Sequence, residues 1–173
     1  MRFTFFGLLL LVLINVLPAH SVSSPVWVEV DLPPPAVLTQ AEEAIQHWSK
    51  EDLACLTKMV YGEAGNQSYA GKVAVAAVAV NRTKAGRWGR TLCQTIKQKG
   101  QFAGYWANRN SQANRLERLA WAEAEQAALD VTLHYELLPA QFQEALYFHE
   151  KSVPQFTWAK MEGRIGDHVF YGA

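Results

Sequence analysis

The chain has 173 residues, of which 50% are hydrophobic, 18% are charged and 12% are aromatic, and its sixteen basic and sixteen acidic residues give zero net charge. This composition excludes an intrinsically disordered chain and supplies the core of one domain. No basic run stands out, so we expect no nucleic-acid partner. Two widely separated cysteines exclude a disulfide-framework miniprotein and a zinc knuckle.

The N-terminal segment predicts export. Arg2 precedes an apolar run over residues 5–17, which is shorter than the roughly 20 residues of a bilayer span. Small residues follow at Ala19 and Ser21, so residues 1–21 are interpreted as a signal peptide or an uncleaved signal anchor, with a buried N-terminal helix as the alternative. We expect a periplasmic or secreted, cell-wall-associated protein, and any attachment to a membrane would be only through that segment left uncleaved.

Export also bears on the two cysteines. An oxidising compartment allows Cys55 and Cys93 to pair, so we expect a disulfide between them. Two buried free thiols are the alternative.

Residues 22–38 are interpreted as a proline-rich spacer. They contain a short alternating stretch at 26–30 and then Pro33, Pro34 and Pro35, which favour a stiff extended chain without its own core. Residues 39–173 remain as the folded domain.

Two capping-box patterns, at 39–42 and 49–52, each predict the start of a helix. The second helix places Leu53, Leu56 and Val60 on one face, and we expect it to end near Gly62.

Two further helices are predicted after it. A third helix over about 69–83, capped by Ser68 or Asn66, is apolar all round through residues 73–80 and is therefore buried. A fourth helix over about 112–130 carries an apolar stripe formed by Leu116, Ala120, Ala124, Ala127 and Val131. The tail from residue 145 alternates aromatic and polar residues, which indicates short strands or extended loops. The fold class predicted is α+β, mainly helical, with a buried central helix and a small β region.

Glu63 stands in the segment Tyr61-Gly62-Glu63-Ala64-Gly65, at the predicted C-terminal end of a helix. The helix dipole disfavours a negative charge there, and apolar neighbours disfavour it further, so the pKa of the carboxyl should be raised. A carboxylic acid in such a place is suited to general acid catalysis near neutral pH. A solvated loop glutamate is the alternative interpretation.

The wider pattern resembles the SleB-like family of cell-wall hydrolases, first known from spore-cortex-lytic enzymes. The most specific part is Gly-Glu-Ala at 62–64, followed by Gly-Lys-Val-Ala-Val-Ala at 71–76 and Asn-Arg at 81–82. The resemblance covers about residues 50–172. The segments that carry it are 55–64, 71–82, 92–96, 100–102, 145–149, 158 and 165–171.

This resemblance implies a lysozyme-like fold acting on peptidoglycan glycan strands, with residues 39–173 as the catalytic domain and Glu63 as the acid. Lytic transglycosylases, to which the family is similar, protonate the glycosidic oxygen between N-acetylmuramic acid and N-acetylglucosamine. The carboxylate then takes the proton of the muramic C6 hydroxyl, and a 1,6-anhydro sugar forms. An N-acetylmuramoyl-L-alanine amidase and a non-catalytic peptidoglycan-binding protein are the alternatives.

The family motif continues with a second glutamate, and here that position is Gln67. Gln67 forms hydrogen bonds but does not carry protons at ordinary pH, which the single-acid mechanism tolerates. The other candidate substrate contacts are Tyr61, Gln101 on an N-acetyl group, Phe102 under a sugar ring, His149, Trp158, His168 and Tyr171.

No metal or cofactor is predicted. His149-Glu150 begins like the zinc-protease motif, but Val153 occupies the position of its second histidine. A zinc-dependent amidase is therefore the less favoured alternative.

Overall fold

The computed structural model describes residues 48–173, so the predictions for the export segment, the spacer and the helix at 39–42 lie outside the described residues. Residues 48–173 form five helices, two 3₁₀ turns and three strands. In chain order they are α1 Lys50–Ala64, α2 Tyr69–Lys84, α3 Leu92–Lys97, a 3₁₀ turn Gly104–Trp106, α4 Arg115–Leu133, a 3₁₀ turn Tyr135–Leu137, α5 Ala140–Glu144, β1 Tyr147–Glu150, β2 Met161–Ile165 and β3 His168–Tyr171. This confirms the mainly helical α+β class.

The capping box at the start of α1 is confirmed. The Ser49 hydroxyl accepts from the Asp52 amide at 3.0 Å, and the Asp52 carboxylate accepts from the Ser49 amide at 3.2 Å. Helix α1 ends at Ala64, two residues beyond the predicted end near Gly62. Gly62 lies inside the helix, where its lack of a side chain allows the backbone at Gly104 to approach closely. Glu63 therefore lies in the last helical turn.

Helix α2 is the buried centre of the domain, as predicted, and its cap is Ser68 rather than Asn66. Residues 74–80 are all buried, and α2 contacts α1, α3, α4 and α5. Its buried Lys72 is held by the Glu123 carboxylate at 2.9 Å and the Gln67 carbonyl at 2.6 Å. Within residues 48–173, no helix combines the length and the apolar character needed to cross a membrane.

Helix α4 starts and ends about three residues later than predicted, because Asn114 is its cap. Its C-terminal half packs on the core through buried Ala124, Ala127 and Val131. The predicted stripe is wrong at Leu116, which is 76% exposed, since the first turn of α4 extends past the core. The short helix α3 was not predicted. It is capped by Thr91, whose hydroxyl accepts from the Gln94 amide.

The three strands form an antiparallel sheet in the order β1-β3-β2. Strand β3 is central and buried, with Tyr147 opposite Tyr171 and Glu150 opposite His168. The register places His149 and Glu150 of β1 beside the β2–β3 turn, which carries Asp167. The predicted short strands of the tail are thus present, and they bring polar residues to one edge.

A disulfide joins Cys55 of α1 to Cys93 of α3, as predicted. It closes a segment with a sequence separation of 38, and closing that segment in the unfolded chain is worth about 4 kcal/mol in the loop-entropy treatment. We expect urea unfolding of the oxidised protein to show that loss of stability when a reductant is added. The double variant Cys55→Ala/Cys93→Ala should match the reduced protein and should not respond to the reductant. Equal stability with and without the reductant would contradict the prediction.

Candidate active site

The predicted acid lies in a pocket of about 480 Å³ between the C-terminal end of α1, α2 and the sheet. Its walls are mainly polar. It is lined by Glu63, Asn66, Gln67, Arg82, Gly100, Gln101, Ala103, Phe148, His149, Glu150, Asp167 and His168. Another cavity, of about 390 Å³ and lined by apolar groups near Tyr135 and Leu137, contains none of the predicted site residues.

Two glycines fix the carboxyl of Glu63. A Cβ on Gly62 would lie 2.0 Å from the Gly104 carbonyl oxygen, so the two backbones touch where neither residue has a side chain. This contact brings the Gly104 amide to the carboxyl, and the amide donates to Glu63 Oε1 at 2.6 Å. The second carboxyl oxygen has no hydrogen bond within the described part of the chain. The acid is therefore held at one oxygen and available at the other.

The pKa of Glu63 is raised above its ordinary value, mainly because the carboxyl is buried. The hydrogen bond from Gly104 and the positive charge of Arg82 act in the opposite direction and limit the rise. The direction agrees with the expectation for an acid at the end of α1. The group retains its proton at a pH where an exposed glutamate has lost it.

A cation from a separate loop stabilises the end of α1. Arg109 donates to the Tyr61 carbonyl at 2.8 Å and to the Glu117 carboxylate at 2.9 Å, and its guanidinium lies over the Tyr61 ring. A positive group at this position satisfies a free helix carbonyl and complements the dipole. A Cβ on Gly65 would lie 2.2 Å from Arg109, so a glycine at this position permits the contact.

Gln67 joins the loop after α1 to the turn between β2 and β3. Its amide oxygen accepts from the Asp167 backbone at 3.1 Å, and its amide nitrogen donates to the Asp167 carboxylate at 3.2 Å. The other oxygen of Asp167 pairs with Lys151 at 2.6 Å. Lys151 and then Gln67 hold the pKa of Asp167 below its usual range. Both ends of the Gln67 amide are therefore used to position one pocket wall.

Gln67→Glu is expected to weaken the contact between the loop after α1 and the turn that carries Asp167. The new carboxylate still accepts from the Asp167 backbone, but it faces the Asp167 carboxylate where an amide donor stood. The melting temperature should fall, and it should fall more at about pH 8 than at about pH 4, where the added carboxyl becomes protonated. Gln112→Glu, on an exposed loop, is the control for the added charge. A variant as stable as the parent at both pH values would contradict this role of Gln67.

The two predicted histidines differ in their environment. His149 has both ring nitrogens engaged, Nδ1 with the Glu150 carbonyl at 2.8 Å and Nε2 with the Tyr171 hydroxyl at 2.9 Å. His168 is buried, and its Nδ1 has no hydrogen-bond partner among residues 48–173. Burial lowers its pKa. A buried imidazole of this kind is neutral at neutral pH. Neither residue forms a metal-ligand cluster with the other within residues 48–173.

The structure brings together five of the predicted site residues: Glu63, Gln67, Gln101, His149 and His168. The others do not line the pocket. Tyr61, Phe102 and Tyr171 are each at most 2% exposed, because their rings complete the core, so their predicted contact with a sugar finds no support. Trp158 is exposed but stacks on Phe156, beyond the pocket lining.

Sequence reasoning missed Arg82, Phe148 and Asp167 as pocket residues. All three lie in segments that carry the family resemblance, at 71–82, 145–149 and 165–171. An available signal for Arg82 was a charged side chain at the end of an otherwise apolar, buried helix. No comparable signal existed for Asp167, because its place depends on the pairing of β2 with β3.

One group of possible metal ligands is found in the described part of the chain. It consists of Glu51, Cys55 and Cys93, and both sulfurs of the group form the disulfide. It lies away from the pocket lining.

Comparisons with known proteins identify the family of the chain. A family profile described as "Cell Wall Hydrolase" matches residues 66–171, which is more than half of the chain. The chain belongs to the cell wall hydrolase family. It is accordingly a cell-wall hydrolytic enzyme, although Glu63 itself precedes the matched range.

Two solved structures show the same fold. The catalytic domain of the Bacillus cereus SleB protein is 24% identical with a TM-score of 0.54, and the match covers 72% of this chain and 91% of that one. The catalytic domain of a germination-specific lytic transglycosylase, SleB from Bacillus anthracis, is 26% identical with a TM-score of 0.54, covering 72% of this chain and 96% of that one. No curated protein matches the sequence. The lysozyme-like, SleB-type fold expected from the motifs is therefore confirmed.

Proposed function

We propose that this cell wall hydrolase cleaves the glycosidic bond between N-acetylmuramic acid and N-acetylglucosamine in peptidoglycan, as a lytic transglycosylase with Glu63 as the single acid and base. The observation that carries the proposal is the Glu63 carboxyl, which is partly buried, held at one oxygen by Gly104 and open at the other in a polar pocket. The Bacillus anthracis domain of similar fold, itself named a lytic transglycosylase, supports the choice.

The chemistry requires one group that is first an acid and then a base. Protonated Glu63 gives its proton to the glycosidic oxygen, and the bond from that oxygen to the anomeric carbon breaks. The carboxylate that remains accepts the proton of the muramic C6 hydroxyl, whose oxygen bonds to the anomeric carbon. Glu63 ends protonated, and no water is consumed. Gly104 and Arg82 favour the intermediate carboxylate, while burial favours the acid.

The state of Asp167 favours a single-acid scheme over one with two working carboxylates. A hydrolytic mechanism needs a second carboxylate to activate water or to attack the sugar. In this pocket the Asp167 carboxylate is already bound by Lys151 at one oxygen and by Gln67 at the other. Asp167 is therefore held as a structural anion. Glu150, the other carboxylate of the lining, is exposed, whereas Glu63 is partly buried with one carboxyl oxygen free to exchange a proton with substrate.

Digestion of purified peptidoglycan, with mass spectrometry of the products, tests the proposal. Anhydro-muropeptides are the expected products. Reducing muropeptides would indicate a hydrolase instead of a transglycosylase. Freed peptides would indicate an amidase, and inhibition by a chelator would show that it depends on zinc. Binding to the wall without any product would favour the non-catalytic alternative. Because this substrate lies outside the cytoplasm, export through residues 1–21 and cell-wall association form part of the same proposal.

The pH dependence of the reaction should follow the raised pKa of Glu63. The acid form is required to begin the reaction, so kcat/KM should fall as pH rises through that pKa. Since burial raises the pKa, this fall should occur above the ordinary pKa of glutamate, 4.5. Clearing of a peptidoglycan suspension between about pH 4 and pH 9 measures the profile. A fall centred at or below the ordinary glutamate value would contradict the assignment.

A further inference from the structure

Arg82 is a buried cation that the proposed mechanism has used only through its charge. It is 6% exposed and lies in the last part of α2, where it lines the pocket with Glu63. Burial lowers its pKa to about 10, so it remains charged at neutral pH. A buried charge of this kind is costly unless it is paired or used.

Protein acceptors account for only part of the guanidinium. Nε donates to the Leu146 carbonyl at 2.7 Å, and Nη1 donates to the Gln101 carbonyl and side-chain oxygen at 3.3 and 3.2 Å. The Phe102 ring lies under the group, 4.7 Å from its central carbon. These contacts hold the plane of the guanidinium in one orientation.

The remaining nitrogen, Nη2, donates to no acceptor among residues 48–173. Arg82 is one of the residues that line the pocket. Arg82 and Glu63 also form no ion pair with each other in the described part of the chain. A charged donor and an acid therefore share one pocket without neutralising each other directly.

We propose that Arg82 is a substrate-contacting residue, whose free Nη2 donates a hydrogen bond to an oxygen of the N-acetylated sugar bound beside Glu63. This inference rests on the proposed function for its substrate class. An acetamido carbonyl, a hydroxyl and the lactyl group of muramic acid all offer such an oxygen. The fixed orientation of the guanidinium lowers the entropy cost of forming that bond.

The test uses Glu63→Gln as the background, so that sugars bind without being cleaved. Calorimetric titration with N-acetylglucosamine tetrasaccharide, and with a disaccharide muropeptide, should show that Arg82→Lys weakens binding by about 10-fold to 100-fold, the range for a hydrogen bond to a charged group. Arg87→Lys is the matched control. Arg87 also lies over an aromatic ring, that of Trp88, but it is exposed and outside the pocket. The sugar affinity of the protein that carries Arg87→Lys should equal that of the Glu63→Gln background.

The two sugars identify the oxygen. Loss of binding to both would assign an acetamido or hydroxyl oxygen, and loss confined to the muropeptide would assign the lactyl group. Unchanged binding of both by a folded Arg82→Lys protein would overturn the proposal, as would failure of both sugars to bind the parent.

A measurement without substitution at Arg82 covers the case in which Arg82→Lys does not fold. The ¹⁵N signals of the Arg82 guanidinium in the Glu63→Gln protein should move during sugar titration, while those of Arg87 should not. Unmoved Arg82 signals at saturation would overturn the proposal. The outcome is separate from that of the proposed function, because sugar contact at Arg82 can be seen even if peptidoglycan digestion yields no anhydro product.

Discussion

Glu63→Gln should abolish most of the cleavage of peptidoglycan, lowering kcat by about 10²-fold to 10⁴-fold, the usual contribution of a general acid. The amide keeps an oxygen that accepts from Gly104, so the side chain should stay in place. It has no acidic proton, so the leaving sugar departs unprotonated and the following base step is also lost. Product release followed by mass spectrometry measures the effect.

The same substitution should not destabilise the fold at neutral pH. Because the folded-state pKa of Glu63 is raised, its stability contribution is present at low pH and is lost as pH rises through that pKa. Replacing the carboxyl by an amide removes this loss, so the variant should melt at or above the wild-type temperature at neutral pH. An inactive but stable variant separates catalysis from folding.

Glu125→Gln is the matched control for that experiment. Glu125 is an exposed carboxylate of α4 outside the pocket, so its replacement should leave both activity and melting temperature unchanged. A Glu63→Gln protein that still releases anhydro-muropeptides at the control rate would remove Glu63 from the proposed role.

The features that sequence reasoning predicted are those encoded locally. The capping box at Ser49 and the apolar run of α2 involve residues within a few positions of each other, so their pattern is visible before folding. Glu63 is singled out by its place at the end of a predicted helix, and its role as the acid is implied by the resemblance to the SleB-like family.

The missed features depend on contacts between distant segments. Leu116 belongs to a continuous helical stripe, but the sequence does not show that the core ends before the first turn of α4. Phe102 has the residue type of a sugar platform, yet its ring packs below Arg82 in the core. Pairing of Gln67 with Asp167 joins positions 100 residues apart. Local patterns and the family resemblance thus point to Glu63 as the candidate acid, whereas the contacts around it are visible only in the tertiary structure.

Gly62→Ala should damage both the fold and the site, because the two depend on one backbone contact. The added Cβ would lie 2.0 Å from the Gly104 oxygen and 2.4 Å from its carbonyl carbon. Both are backbone atoms, so no flexible side chain can move aside. Overpacking of this kind costs about 1–3 kcal/mol, and the better helix propensity of alanine offsets up to about 1 kcal/mol. The melting temperature should therefore fall by several degrees.

Activity of Gly62→Ala should fall further than the folded fraction does. Moving Gly104 away takes its amide from Glu63 Oε1, and the carboxyl loses both its fixed orientation and a hydrogen bond that favours its ionised form. The pKa of Glu63 should rise further, so the fall of kcat/KM should shift to higher pH, while kcat itself decreases. Rates normalised to the folded fraction, measured across the pH range, separate these effects.

Gly163→Ala is the control for a glycine without a close neighbour. Gly163 lies in β2, and a Cβ built there meets no atom within 4 Å, so its replacement should change stability by no more than about 0.5 kcal/mol. If Gly62→Ala behaved in the same way, with normal stability and an unshifted pH profile, the approach of Gly104 to α1 would not be what holds the acid. The difference in stability and pH profile between Gly62→Ala and Gly163→Ala therefore measures how far the proposed catalysis by Glu63 depends on the contact of Gly62 with Gly104. Only residues without side chains can approach so closely.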